Sequence, residues 1–185
     1  MEMFNLLSTL ADGLRLQHET YDKLESLRKR LKPASLRGVD HCVKCGFCCH
    51  CRSCIPTLSE LKKVAKFLKL TPNELIHKYY AIDKQPFGNI YFLKPVGVNI
   101  KDLAGKFIPA RRTYNEGKCI FLGKGNLCKI YPVRPKMARI TKCWKENSKI
   151  DNINNKIINS WGNKLKEEFG IDGSKEEEIS TNFDE

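Results

Sequence analysis

The segment Asp40–Pro56, DHCVKCGFCCHCRSCIP, carries six of the nine cysteines in the chain. Five of them, Cys42, Cys45, Cys48, Cys51 and Cys54, recur at every third residue, and Cys49 falls out of step. Two-residue spacers let successive sulfurs turn into one pocket, which is how three thiolates of a run wrap one face of an iron–sulfur cubane while the fourth ligand comes from elsewhere. Gly46 inside the run tolerates left-handed backbone angles and lets amide N–H groups approach bound sulfur. Nine is an odd number, so complete pairing into intramolecular disulfides is excluded. Glu2 stands where an export signal carries basic residues, and Asn5, Ser8 and Thr9 interrupt the apolar positions that follow. The expected compartment is therefore the reducing cytoplasm, where closely spaced Cys-x-x-Cys units signal metal binding or redox chemistry.

Three further cysteines lie downstream. Cys119 and Cys128 flank GKGN in GKCIFLGKGNLCKIYP, two apolar runs about a turn that read as a hairpin-like unit, and Cys143 follows. All nine are candidate ligands. Zinc can use the same thiolates, with Cys42 and Cys45 as one pair and either Cys51 and Cys54 or Cys119 and Cys128 as the other. Spacing does not separate the metals; a [4Fe–4S] cluster is the first expectation and zinc the alternative. His41 and His50 flank the cysteines and are read as surface groups or as neighbours of the site. The Gly-Lys-Gly at 123–125 lacks the rest of a phosphate-binding loop.

At 185 residues the chain is long enough for one domain with its own core. The expected fold class is α+β and mostly helical: a small cysteine-rich domain over 38–149 with short strands or a hairpin, flanked by long amphipathic helices at 1–37 and 150–171. Met3, Leu7, Leu10, Leu14, Gln17, Tyr21, Leu24 and Leu31 form a heptad-like stripe on the first helix, with a polar residue at Gln17, and the helix ends at Lys32-Pro33. That stripe docks on its own domain or pairs with a second copy. Inside the domain, TLSE at 57–60 and TPNE at 71–74 fit the capping box, and each opens a short helix. Leu61, Val64, Ala65 and Leu68 line one face of the first; Leu75, Ile76, Tyr79 and Tyr80 line one face of the second. Residues 87–110 change to short strands and loops. Ile150, Ile153, Ile157, Ile158, Trp161, Leu165 and Phe169 mark the C-terminal helix, stopped by Gly170.

Charge is uneven. The formal net charge is +12, but residues 172–185 hold six acids against one lysine, so this tail, expected to be disordered, carries −5 and the rest of the chain +17. Such a body attracts acidic surfaces. Nucleic acid suits the charge, yet no RNA-recognition, helix-turn-helix or interleaved basic–aromatic pattern accompanies it. A protein partner, either a redox partner or a modification enzyme, is the expectation. No apolar run approaches the roughly 18 residues that suggest a membrane span.

CVKCGFCC, followed well downstream by GKCIFLGKGNLCKIYPVRP, resembles the CxxCxxCC family of zinc- or iron-chelating domains. The resemblance covers roughly residues 40–143 and implies Cys42, Cys45, Cys48, Cys49, Cys119 and Cys128 as ligands. A similar cysteine-rich domain occurs in flagellin lysine N-methylase, where it is associated with an iron–sulfur cluster. One departure stands out. The family reads R-P-x-x-C-R where this chain reads RPKMAR, so Ala138 occupies the expected cysteine position between Arg134-Pro135 and Arg139. Cys51, Cys54 or Cys143 is then the substitute ligand. The resemblance also implies Arg134 and Arg139 as groups beside the centre that hydrogen-bond thiolate sulfur.

These readings lead to an iron–sulfur protein acting in electron transfer or assisting a protein-modification system. The alternatives are a structural zinc module for a partner, a relative of protein lysine methylases, and a metal chaperone. No catalytic constellation beyond the cysteines is present: there is no methyl-donor glycine motif, no HExxH and no Ser/His/Asp set.

Overall fold

The computed structural model describes residues 46, 49–50, 54–85, 89–109, 112, 116–140 and 148–173. The helix expected over 1–37 lies outside them, as does the tail from 174 onward. Within them the fold is α+β and mostly helical, with one antiparallel pair of strands.

Both capping boxes form. Thr57 caps α1 (Leu58–Phe67) and Thr71 caps α2 (Pro72–Tyr79); each threonine hydroxyl accepts the backbone N–H three residues on, and Glu60 and Glu74 return the bond to the cap. Pro72 sits in the first turn of α2, where its missing N–H costs nothing. The expected apolar faces turn inward, with Leu61, Val64 and Ala65 of α1 and Leu75 and Ile76 of α2 buried.

The first departure comes at Tyr80. It does not extend α2 but changes to extended backbone (φ −125°, ψ 141°) and starts β1 (Tyr80–Lys84). Aromatic and β-branched residues favour the pleated conformation, and β2 (Tyr91–Pro95) supplies the partner, in the register Tyr80 opposite Pro95, Ile82 opposite Leu93 and Lys84 opposite Tyr91. The other edge of β1 is used as well: Ile82 accepts the N–H of Ile108 and donates to the carbonyl of Lys106.

After β2 the chain enters a 3-10 stretch at Val98–Leu103 and returns alongside residues 96–99. Ile120 donates to Val96, Val98 to Lys118 and Asn99 to Glu116. The 119–128 segment then closes on itself, with a bridge between Leu122 and Cys128 about a short 3-10 turn at Lys124–Asn126, in agreement with the expected hairpin-like unit. A five-residue helix, α3 (Lys136–Ile140), follows.

Beyond it come α4 (Ser148–Asn159) and α5 (Lys164–Phe169). One continuous helix was the expectation for this segment; instead the chain turns at 160–163, with Gly162 at φ +41°. The turn lets Trp161, 1% exposed, donate its indole N–H to the carbonyl of Pro56 at 2.9 Å. The segment that leaves the cysteine run is thereby tied to the C-terminal helices. Gly170 ends α5 in the left-handed conformation, as its sequence position predicts.

A buried lysine was not foreseen. Lys94 on β2 is 5% exposed and sits between Asp83 at 2.6 Å and Glu116 at 2.5 Å, tying the sheet to the segment that leads into Cys119. Burial alone would lower its pKa, but Glu116 and Asp83 together raise it above the ordinary 10.5. Lys94→Met leaves two half-buried carboxylates facing each other and is expected to cost about 3 kcal/mol in urea unfolding at pH 7. A raised lysine pKa stabilises fully below the unfolded value of about 10.4 and loses its effect as pH rises through the native value. The gap between wild type and variant should accordingly hold to about pH 10 and close above it. Among the described residues no helix is long and apolar enough to cross a membrane.

Candidate metal centre

The two cysteine motifs, some seventy residues apart in sequence, meet through their backbones. The N–H of Cys119 donates to the carbonyl of Cys49 at 2.7 Å, and the N–H of Cys49 donates to the carbonyl of Gly46 at 2.9 Å. Gly46 has φ +76°, the left-handed region that favours glycine. A Cβ there would lie 2.8 Å from the side chain of Asn126, so Gly46 packs on the 124–126 turn of the downstream motif. Asn126 itself is left-handed at φ +59°, which asparagine tolerates better than most residues.

Cys119 is fixed from its other side by Gly97, with which it forms an isolated antiparallel bridge. Cys128 is held where the hairpin closes, opposite Leu122, and its carbonyl accepts the N–H of Tyr131. Cys54 packs against the main core immediately before the buried pair Ile55 and Pro56.

These placements bring Cys49, Cys54, Cys119 and Cys128 to the walls of one cavity of about 60 Å³. Pro95, Phe121 and Ile130 supply apolar wall, and Ala138 and Arg134 complete it. The donor chemistry fits a soft metal: the lining contains four thiols and neither imidazole nor carboxylate, the set that selects zinc or iron–sulfur clusters over hard cations. Among the described residues no three of His, Cys, Asp and Glu converge closely enough to form a metal cage by themselves. The four described thiols thus stand on one cavity wall without closing on a common point.

The sequence model of one family, described as "Putative zinc- or iron-chelating domain", matches residues 41–160. The chain belongs to the CxxCxxCC family. No curated protein and no solved structure matches it. The CxxCxxCC match spans both cysteine motifs and runs through α4, so the cavity lies wholly within it.

Of the nine cysteines proposed as ligands from sequence, Cys42, Cys45, Cys48, Cys51 and Cys143 lie outside the described residues. The other four are those that share the CxxCxxCC cavity. The two arginines separate. Arg134 lines the cavity, with its guanidinium stacked 3.7 Å from the centre of the Tyr131 ring and its Nε donating to the Tyr131 carbonyl at 3.3 Å. Arg139 points to the exposed side of α3, with 57% of its side chain accessible, and approaches Glu60 at 3.9 Å. Glu60 also accepts the backbone N–H of Lys136 at 2.6 Å, so the first-turn acid of α1 sets α3, and Ala138 with it, at the cavity wall.

His50 is held below the ordinary imidazole value, first by partial burial and then by nearby Lys118. His41 lies outside the described residues. Tyr80 was missed by sequence reasoning. It is fully buried behind the cavity wall, its ring packed on Tyr79's neighbour Phe121 with centroids 5.9 Å apart. Burial first, then the thiols of Cys119, Cys54 and Cys128 and the Glu60 carboxylate, raise its pKa well above the phenolic 10.0. It thus remains a proton donor at any physiological pH.

Proposed function

We propose that this chain carries an iron–sulfur cluster of the [4Fe–4S] type on its cysteine thiolates, and that it serves in electron transfer or assists a protein-modification system. The observation that carries the reading is the cavity lined by Cys49, Cys54, Cys119 and Cys128, two thiols from the first cysteine run and two from the downstream motif, all inside the family match and with apolar wall beside them. The Cys42-x2-Cys45-x2-Cys48 run adds the cluster-wrapping spacing. Gly46, left-handed within that run, supports it further, because such a turn exposes amide N–H groups to a bound sulfur.

In this reading the chain's own residues do three things. The thiolates bind, with Cys54 standing in for the family cysteine replaced by Ala138. Arg134, already fixed against Tyr131, offsets the negative charge of the centre from the cavity wall. Phe121, Ile130 and Pro95 limit water, and a drier surround lowers the local dielectric and moves the potential of a thiolate-bound centre. The bound group supplies the electron-accepting chemistry.

Protein purified without oxygen is expected to be brown, with a broad visible absorption and iron and acid-labile sulfide in equal amounts. Colourless protein filled with zinc would overturn the iron–sulfur reading and leave the second one, a structural zinc module. The family description favours that second reading as much as the first. In that case chelation should unfold the domain without a redox signal.

A further inference from the structure

Tyr80 is 0% exposed, and its hydroxyl has no hydrogen-bond partner among the described residues. Leaving a buried hydroxyl in that condition costs about 1–3 kcal/mol, and native interiors satisfy nearly all such groups. Phenylalanine would fill the same volume without the cost. The surroundings indicate what the hydroxyl is for. Strand register sets Tyr80 opposite Pro95, and its ring packs on Phe121; both neighbours are part of the cavity wall. The hydroxyl also lies within the electrostatic influence of three cavity thiols, Cys119 most strongly and then Cys54 and Cys128. Glu60, the other acidic group near it, is already engaged: one carboxylate oxygen accepts from Thr57 and the other from the Lys136 N–H.

We propose that the Tyr80 hydroxyl donates a hydrogen bond to a ligand sulfur of the thiolate centre, holding that sulfur in place and strengthening metal binding. A metal-bound thiolate is a charged acceptor, so an O–H donated to it forms a stronger bond than one between neutral groups. The donor comes from β1, an element that contributes no cysteine and stands behind the cavity, so Tyr80 acts through the ligand as a positioning residue. Partners that orient metal ligands from behind are worth about 10–100-fold in metal affinity.

The inference rests on the thiolate centre proposed above, but not on which metal fills it. Its test therefore uses cobalt(II), whose sulfur-to-metal charge-transfer bands report thiolate ligation without iron or sulfide. The full-length reduced chain and Tyr80→Phe are titrated anaerobically with cobalt(II), and the metal-free forms are melted. Tyr80→Phe is expected to bind cobalt about tenfold more weakly, with a displaced charge-transfer band, while its metal-free melting temperature equals or exceeds that of the wild type. Equal affinity and an unmoved band in the two proteins would refute the hydrogen bond and leave the thiolate centre standing. A metal-free variant that melts below the wild type would assign the hydroxyl a structural role instead. A wild-type chain that shows no thiolate-to-cobalt band would remove the centre and the Tyr80 role together.

Discussion

Cys54→Ser is expected to strip most of the metal from the chain, and adding Ala138→Cys to that variant is expected to return it. Cys54 and Ala138 line the same cavity although they are far apart in sequence, so a thiol at 138 enters the space that Cys54 serves. Serine is nearly isosteric but offers a hard, protonated oxygen where a soft thiolate is needed. Losing even a group that only orients a ligand costs about 10–100-fold in metal affinity, and losing the ligand itself should cost more. The measurement is metal and sulfide per chain after anaerobic purification of the wild type, Cys54→Ser, Ala138→Cys and the double variant. Full metal content in Cys54→Ser would show that thiol to be idle. Loss without recovery in the double variant would keep Cys54 as a ligand and refute its equivalence to position 138.

That prediction joins a fact read from sequence to one that only the fold supplies. RPKMAR departs from the family pattern at Ala138, and the cysteine run extends beyond it to Cys54; both are plain in the sequence. Their shared cavity is not, because it depends on Glu60 drawing α3 against the start of α1 and on Trp161 anchoring Pro56. Within the described residues several local signals were legible. The two capping boxes, the inward faces of α1 and α2, the GKGN turn and the Gly170 stop each depend on residues within a few positions of one another. What escaped depends on distant partners. Tyr80 continues the apolar stripe of α2 and becomes a strand only because β2 is there to pair with it. Trp161 continues the stripe of α4, yet the chain turns there so that the indole can reach Pro56. Lys94 interrupts nothing in an alternating strand pattern, and its burial follows from two acids brought in from Asp83 and Glu116. Arg134 and Arg139 look equivalent in RPKMAR, but the first stands before α3 and lines the cavity, whereas the second lies on α3 and reaches solvent and Glu60.

Gly97→Ala is expected to unfold the domain or cost more than about 4 kcal/mol, placing it among the few substitutions with a single severe cause. A Cβ at this position would lie 1.8 Å from the carbonyl oxygen of Glu116 and 2.4 Å from its carbonyl carbon. Those are backbone atoms and have no rotamer into which to retreat, so residues 96–99 must part from 116–120. That separation breaks the Gly97–Cys119 bridge and the bonds from Val98 to Lys118 and from Asn99 to Glu116. It also draws Glu116 away from Lys94. The same small change should therefore lower stability and metal content together, because Cys119 loses the scaffold on one side while its N–H remains tied to Cys49 on the other. Gly125→Ala separates this cause from glycine's conformational freedom. Gly125 has φ +63°, yet an added Cβ there meets nothing within 4 Å. It should cost only about 1 kcal/mol for the left-handed backbone and leave metal content unchanged. Chemical unfolding in urea, with metal analysis on the same preparations, checks both. Equal effects at the two glycines would mean that backbone conformation, and not the contact with Glu116, sets the requirement at Gly97.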